Sequence, residues 1–168
     1  MDIGFLSKIF YWVYARPLWQ IVIFMVLATV LWTVLAAKFS HLKVWRVVNI
    51  VIVVVIVAVL VYFTIVRRSP SESIKMYVSP AENLQRVLSN GGIAESFYLN
   101  ILMFFPLGLT LPFALPAKIK HKGLITLAAC LTFSLGIEVA QAAFALGNFE
   151  LADIFANIVG AAIGCLAF

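Results

Sequence analysis

Charged side chains are scarce in this sequence. Asp, Glu, Lys and Arg together make up 11% of its 168 residues, while apolar residues make up 64%. Soluble domains average about a quarter charged residues and about half apolar ones. The shortage of charge therefore excludes a soluble globular domain and predicts an integral membrane protein.

Cysteine and histidine are also rare. Cys130 and Cys165 both fall inside apolar runs, and neither belongs to a C-x-x-C or Cys/His pattern. His41 and His121 lie in basic loops, far in sequence from the carboxylates of the apolar segments. We therefore expect no disulfide framework, no structural metal site and no cofactor.

Acidic residues are outnumbered by basic ones. Twelve Lys and Arg against seven Asp and Glu give a formal net charge of +5. The basic residues form no single stripe, which argues against nucleic acid as a partner. Their place in loops instead predicts contact with the anionic headgroups of membrane lipids.

Long apolar runs fill most of the chain and predict an all-α, polytopic bundle of about five transmembrane helices. The first two runs each hold 20 uncharged residues, which is enough to cross a bilayer. Residues 1–16 are too short to cross, but their apolar residues recur at helical spacing and predict a helix in the membrane interface. The predicted spans, first to fifth, are residues 18–37, 47–66, 97–115, 123–146 and 153–168.

The one sizeable predicted loop covers residues 67–96. Within it, Ser79-Pro80-Ala81-Glu82 is a capping-box pattern with proline at the first helical position. Asn90-Gly91-Gly92 predicts the end of this helix. We expect a short amphipathic helix on the membrane surface, serving either as packing cover or as a ligand lid. Residues 1–73 then form an N-terminal part with two spans, and residues 74–168 form a core with the surface helix and three spans.

Two short polar motifs interrupt the last two spans. Ser134, Glu138 and Gln141 share one face of the fourth span, and Asp153 and Asn157 share one face of the fifth. An ionisable group at membrane depth is costly and is a functional-site hypothesis by default. The short turn between these spans makes them antiparallel neighbours, so Glu138, Gln141, Asp153 and Asn157 should lie at similar depth near one membrane surface.

The third span adds a polar residue to this cluster. Asn100 lies near its start, on the same side of the membrane, so the polar groups should converge beneath the predicted loop. Pro106 removes a helical hydrogen bond and predicts a kink, and Gly108, two residues later, is predicted to lie at a helix contact. A stripe of small residues on the fifth span predicts close helix packing and offers a face for oligomers. The stripe consists of Ala152, Ala156, Gly160 and Gly164.

Three interpretations of the polar cluster stay open. It is an interhelical hydrogen-bond network that fixes packing, or a pocket for a headgroup, sugar or cation, or an enzymatic site with Glu138 or Asp153 as general acid or base. Amides alone would satisfy the first interpretation, so two carboxylates favour the other two. The sequence contains no activated Ser or Cys nucleophile beside a histidine.

The order and intervals of these residues resemble the VanZ-like family over residues 74–168. The residues that carry the resemblance are Asn100-x5-Pro106-x-Gly108, Ser134-x3-Glu138-x2-Gln141 and Asp153-x3-Asn157-x2-Gly160-x3-Gly164. The resemblance implies a bacterial integral membrane protein. The founding member is linked to low-level resistance to teicoplanin, a lipoglycopeptide, without an altered peptidoglycan terminus. It has one helix before the motif region, whereas two spans are predicted here, so residues 1–37 look like an addition.

The distribution of charge predicts the orientation in the membrane. Basic residues cluster tightly at 38–46 and 118–122, and the acids belong to the opposite side. We therefore expect these clusters in the cytoplasm and the Glu138/Asp153 site outside a bacterial plasma membrane. There it would bind a lipid headgroup, a lipid-linked cell-wall precursor or the lipoglycopeptide, or else modify such a lipid as an enzyme.

Overall fold

A computed structural model of the chain describes residues 18–39, 43–71 and 73–168. The interfacial helix expected over residues 1–16 lies outside the described residues. Six α-helices and a two-stranded parallel sheet make up the described part. The helices are α1 (Leu18–Phe39), α2 (Lys43–Val61), α3 (Pro80–Ser89), α4 (Gly91–Ala114), α5 (Lys122–Ala143) and α6 (Leu151–Leu166), and the strands are β1 (Met76–Tyr77) and β2 (Phe149–Glu150).

The predicted all-α membrane bundle is confirmed. Among the described residues, four helices have the length and composition to cross a membrane, and they correspond to the first four predicted spans. The fifth, α6, has only 16 residues. At 1.5 Å per residue it is about 24 Å long, somewhat less than the ~30 Å hydrocarbon core of a bilayer.

The second span keeps its helical form although it is rich in Val and Ile. It continues from α2 into a π-helical turn, Tyr62–Val66, in which the Arg67 N–H donates to the Tyr62 carbonyl at 2.9 Å. A side-chain contact ties it to the first span, since the Trp32 indole N–H donates to Asn49 Oδ1 at 3.0 Å. Side chains thus join the first two spans near their connecting loop, while each of the two helices packs mainly against α4.

The third span begins at Gly91 and not, as expected, at Phe97. The reason is the side chain of Asn90, whose Oδ1 accepts hydrogen bonds from the N–H groups of Gly92 and Ile93 and so caps a new helix. The same residue ends α3, because its N–H donates to the Arg86 carbonyl at 3.1 Å. The two glycines therefore form the first turn of α4 instead of a connecting loop.

The fourth span ends at Ala143, three residues before the predicted Leu146. Ala145 adopts a left-handed conformation (φ 54°), and the Leu146 N–H donates to the Gln141 carbonyl at 2.7 Å. This is the Schellman arrangement, which glycine usually provides. The span was expected to continue to Leu146, and a left-handed alanine could not be anticipated from the residue type.

Small residues on α6 pack directly against α4. A Cβ atom at Gly160 would overlap the carbonyl oxygen of Ile101, one at Gly164 would overlap that of Phe105, and one at Gly108 would overlap that of Ala161. The stripe was expected to allow close packing and also to offer a face for oligomers. In the structure α4 of the same chain fills this face at Gly160 and Gly164, and an oligomer contact through it stays a prediction. α4 continues through Pro106 and Pro112, and the kink at Pro106 stays a prediction.

The predicted loop carries α3 across one end of the bundle. The surface helix begins as expected, since Ser79 Oγ accepts from the Glu82 N–H at 3.5 Å. Before it, β1 pairs in parallel with β2, with Met76 opposite Phe149 and Tyr77 opposite Glu150. This pairing, which the sequence did not predict, holds the surface helix beside the N-terminus of α6.

Candidate polar site at one end of the bundle

Glu138 is buried near the C-terminal end of α5, with 1% of its surface exposed. One oxygen, Oε2, accepts a hydrogen bond from the backbone N–H of Glu150 at 2.8 Å. The short turn after α5 produces this contact, because it brings the chain back over the helix that it has just left. A buried carboxylate is costly unless it is paired, so this hydrogen bond is part of what allows its burial.

Asp153 lies in the first turn of α6 and is half-buried. The Asn100 side chain, on α4, donates a hydrogen bond to its carboxylate. An acidic residue in the first turn is also favoured by the partial positive charge of a helix N-terminus. Asp153 therefore connects the starts of α4 and α6.

Arg68 is the cation that both carboxylates share. It follows the π-helical turn and interacts electrostatically with Glu138 and with Asp153. Its guanidinium packs on the turn after α5, where a Cβ atom at Gly147 would lie 2.5 Å from Arg68 Nη1. Sequence reasoning missed Arg68, because an arginine at the end of a span normally indicates a solvated loop.

Gln141 binds the second span. Its Nε2 donates to the Thr64 carbonyl at 2.9 Å, and both residues are buried. The last carbonyls of a helix have no partner within the helix, so Gln141 supplies one to the π-helical turn. Gln141 Oε1, in contrast, has no hydrogen-bond partner within the described part of the chain.

Ser134 and Asn157 form a separate pair deeper in the bundle. Asn157 Nδ2 donates to Ser134 Oγ at 2.8 Å, and Asn157 Oδ1 has no partner among the described residues. Ser134 lies four residues before Glu138 on α5, and Asn157 lies four residues after Asp153 on α6. Each of the pair is therefore about 6 Å farther along its helix from the end of the bundle. The predicted cluster is therefore divided. Glu138, Asp153 and Asn100 meet around Arg68, Gln141 bonds to the second span, and the Ser134–Asn157 pair joins α5 to α6.

A second group, which we name the α3 clasp, holds the surface helix over the site. It consists of Asn83, Arg86, Tyr77 and Glu150. Arg86 Nη2 lies 3.2 Å from Glu150 Oε1, and the guanidinium carbon lies 3.4 Å from the centre of the Tyr77 ring.

The buried amide of Asn83 completes the clasp. Its Nδ2 donates to the carbonyls of Tyr77 and Ser79, and its Oδ1 accepts from the Ala152 N–H at 3.1 Å. The capping box located the helix, but sequence alone gave no signal that Asn83 caps α6 from a position 69 residues earlier.

A pocket of about 310 Å³ is lined by Arg68 and Asn100, which interact with the carboxylates. We name it the arginine pocket, after Arg67 and Arg68 in its wall. Thr64, Ser96 and Asn100 supply its other polar side chains. The guanidinium of Arg67 stacks over Phe63, with 5.6 Å between its carbon and the ring centre.

Guanidinium groups suit the oxygens of carboxylates and phosphates, and an amide and hydroxyls beside them add further hydrogen bonds. The chemistry of the pocket is therefore that of an anion site. Among the residues that the structure describes, no three His, Cys, Asp or Glu side chains are grouped to hold a metal ion.

Comparison with known proteins identifies the family. A model of the family described as VanZ/LLP1 matches residues 25–168. The match takes in most of α1 and all of α2, in addition to the region that carries the motifs. No curated protein and no solved structure matches the chain. The resemblance seen in the motifs is thus confirmed over most of the sequence, and the chain belongs to the VanZ/LLP1 family.

Proposed function

We propose that this protein binds the phosphate-bearing headgroup of a membrane lipid or of a lipid-linked cell-wall precursor. The site would face outward from a bacterial plasma membrane, and its occupation would contribute to resistance to lipoglycopeptides of the teicoplanin type. The observation that carries the proposal is the arginine pocket, with Arg68 in its wall held beside two carboxylates.

The position of the pocket suits a headgroup. The pocket is lined by residues from span ends, which are Leu18 at the start of α1, Arg67 after the second span and Ser96 early in α4. It therefore lies at one end of the spans. Lipid phosphates lie at this depth, whereas the hydrocarbon core would offer no anionic ligand. Glu138 and Asp153 offset the charge of Arg68 and orient it, and Asn100 both lines the pocket and bonds to Asp153.

The carboxylates fit this role better than that of direct ligands. Glu138 is almost fully buried, and one of its oxygens is used by the Glu150 N–H. An anionic ligand would also be repelled by them at close range. We therefore assign them to positioning and charge balance, with Arg68 as the group that contacts phosphate.

Binding is tested most directly with Arg68→Lys. Lysine keeps the charge that the carboxylates need but loses the planar, two-pronged donor geometry that suits phosphate. We expect the purified variant to melt like the parent and to bind phosphatidylglycerol and a polyprenyl phosphate at least tenfold more weakly in detergent titrations. Lys120→Gln, which removes a cation from the other end of the bundle, is the control and should bind normally. Equal affinity of the parent and Arg68→Lys would exclude the arginine pocket as the binding site.

An enzymatic role is the alternative, and the partly exposed Asp153 is the observation in its favour. As a general base or acid it would act on a lipid held in the arginine pocket. Lipid mass spectrometry of cells with and without the protein separates the two functions. An enzyme changes the chemical composition of the lipid pool, whereas a binding protein leaves it unchanged. If the drug itself is the ligand, direct titration with teicoplanin gives saturable binding that Arg68→Lys weakens.

A further inference from the structure

A cleft of about 760 Å³ separates the surface helix α3 from the sides of α4, α5 and α6. It lies on the other side of α4 from the arginine pocket. Phe97 and Tyr98 line the cleft, whereas Ser96, Leu99 and Asn100 line the pocket. Because successive residues of a helix point about 100° apart, these two sets face in opposite directions. The cleft is therefore a separate site.

The walls of the cleft are almost entirely apolar. The surface helix contributes Leu84, Val87 and Leu88, and α6 faces them with Ile154 and Phe155, among other residues. The volume falls within the ~300–1,000 Å³ of typical small-molecule sites. An occupant of this cleft would thus be surrounded mainly by hydrocarbon.

The polar groups at the cleft leave little for a polar ligand to bind. Apart from the exposed Tyr98, Asn83 is the one residue with a polar side chain in the described lining. Its amide is already used by the carbonyls of Tyr77 and Ser79 and by the Ala152 N–H. A polar molecule would give up its hydrogen bonds to water without replacement, which is unfavourable.

The rim of the cleft is continuous with the surface that the spans present to the bilayer. Leu131 on α5 and Phe155 on α6 are 42% and 63% exposed, and Leu88 on the surface helix is 78% exposed. Gln85 and Arg86 occupy other faces of α3, so this helix is amphipathic and suited to the membrane interface. Hydrocarbon can therefore pass from the bilayer into the cleft without crossing water.

We propose that the cleft holds one acyl chain of a membrane lipid, enclosed between α3 and α6. The α3 clasp fixes the surface helix above the chain, so the chain is held as a ligand and does not exchange like ordinary lipid around the bundle. The proposal goes beyond headgroup binding and does not depend on the arginine pocket.

The test uses phosphatidylcholine with a photoactivatable diazirine near the end of one acyl chain. It is mixed with the full-length protein in detergent at one lipid per protein, so that bulk lipid is absent. After irradiation, peptide mass spectrometry locates the adducts. We expect at least fivefold more adduct on the peptides that carry Val87 and Ile158 than on the peptide that carries Leu31, an exposed apolar residue outside the cleft lining.

Two variants fill the cleft from opposite walls. Val87→Trp and Ile158→Trp should each reduce the cleft adducts at least fivefold, while Leu31→Trp should leave them unchanged. Thermal melts establish whether each variant is folded. Because the two substitutions lie on different walls of the cleft, the test still gives a conclusion if one of them prevents folding. Arg68→Lys should label like the parent, which separates this site from the arginine pocket. Labelling spread evenly over the Leu31 peptide and the cleft, or undiminished labelling of folded tryptophan variants, would each overturn the proposal.

Discussion

Arg68 connects the two carboxylates that the sequence singled out. Neither Glu138 nor Asp153 lies within 4 Å of it as an ion pair, yet both interact with it electrostatically. Their hydrogen bonds go elsewhere, to the Glu150 N–H and to the Asn100 side chain. Hydrogen bonding and charge are therefore separable at this site, and substitution can remove one without the other.

Glu138→Gln and Asp153→Asn remove the charges and keep the hydrogen bonds. The new amide oxygen at position 138 can still accept from the Glu150 N–H, and the one at position 153 can still accept from Asn100. We expect each variant to insert normally and to keep its stability within about 1 kcal/mol, the usual net value of one hydrogen bond. We also expect each to lose at least tenfold in phosphatidylglycerol binding, because Arg68 loses a neighbouring negative charge that holds it in place and this loss outweighs the weaker repulsion of the anionic ligand.

The measurements are detergent titration and teicoplanin susceptibility of cells that express each variant at matched membrane levels. A network that only fixes packing tolerates the carboxamides and predicts no loss. Parental behaviour from both single variants and from the double variant would leave the charge-based role of the carboxylates without support.

At the scale of elements, the surface helix depends on one buried amide. Asn83→Ala deletes three hydrogen bonds and leaves the Ala152 N–H unpaired in a buried position, at a cost of about 1–3 kcal/mol. We expect hydrogen exchange across residues 80–89 to accelerate roughly tenfold or more, with the spans unaffected. Gln85→Ala, at an exposed position of the same helix, is the control. Unchanged exchange in Asn83→Ala would show that the ion pair and ring stacking of Arg86 hold the helix without it.

The contact between α4 and α6 depends on glycine. A methyl group at Gly160 would overlap the Ile101 carbonyl oxygen, and backbone on both sides leaves nothing flexible to yield. Gly160→Ala should therefore lower the free energy of unfolding by about 1–3 kcal/mol or more, as overpacking does.

Gly136→Ala is the matched control for this contact. Gly136 lies inside α5, and a Cβ atom there meets nothing within 4 Å. Thermal melts in detergent compare the two variants. If Gly160→Ala melts with the parent, α4 and α6 do not make the close glycine contact in the membrane.

The sequence predicted elements better than it predicted contacts. Apolar runs locate the spans because each must match the bilayer, and Ser79-Pro80-Ala81-Glu82 locates the surface helix because capping is local. The partners of Asn83 and Arg68 depend on how helices rotate and on residues far along the chain, which no local pattern specifies. The pairing of Met76–Tyr77 with Phe149–Glu150 was missed for the same reason, since two residues carry no strand periodicity.

For the candidate site, the sequence allowed the residues to be selected by type, but it did not predict how their side chains are arranged. Carboxylates and amides inside a membrane are energetically costly, so residues of this kind could be selected from the sequence. They are Glu138, Asp153, Asn100, Gln141 and Asn157. Some of these residues lie around Arg68, Gln141 bonds to the second span, and Asn157 pairs with Ser134 deeper in the bundle. This division follows from helix packing. Start and end positions also differed, at Asn90 and Ala145, where side-chain capping and a left-handed alanine override the expected glycine signals.

At the scale of the whole molecule, orientation in the membrane is the open prediction. We expect Asn90 and Gly147 outside the cell and Lys120 in the cytoplasm. The exposed positions Ser89 and Lys120 are suitable for single cysteines, placed in a background that lacks Cys130 and Cys165. Gly147 itself is unsuitable, because a side chain there would collide with Arg68. An impermeant thiol reagent on intact cells should label Ser89→Cys and spare Lys120→Cys, and the reverse result would invert the orientation.

The long-range contacts of the surface helix also determine when the site is assembled during synthesis. α3 leaves the ribosome well before Glu150 and Ala152, the residues that secure it, which lie 64 and 69 positions after their partners Arg86 and Asn83. Until α6 enters the membrane, Glu138 lacks its Glu150 N–H and Asp153 is missing altogether. α6 is short for a span, so its insertion should rely on its glycine contact with α4, a helix that is already in place. A nascent chain halted before residue 150 would then hold the four preceding spans in the bilayer without the complete candidate site, and the site would form only when α6 inserts.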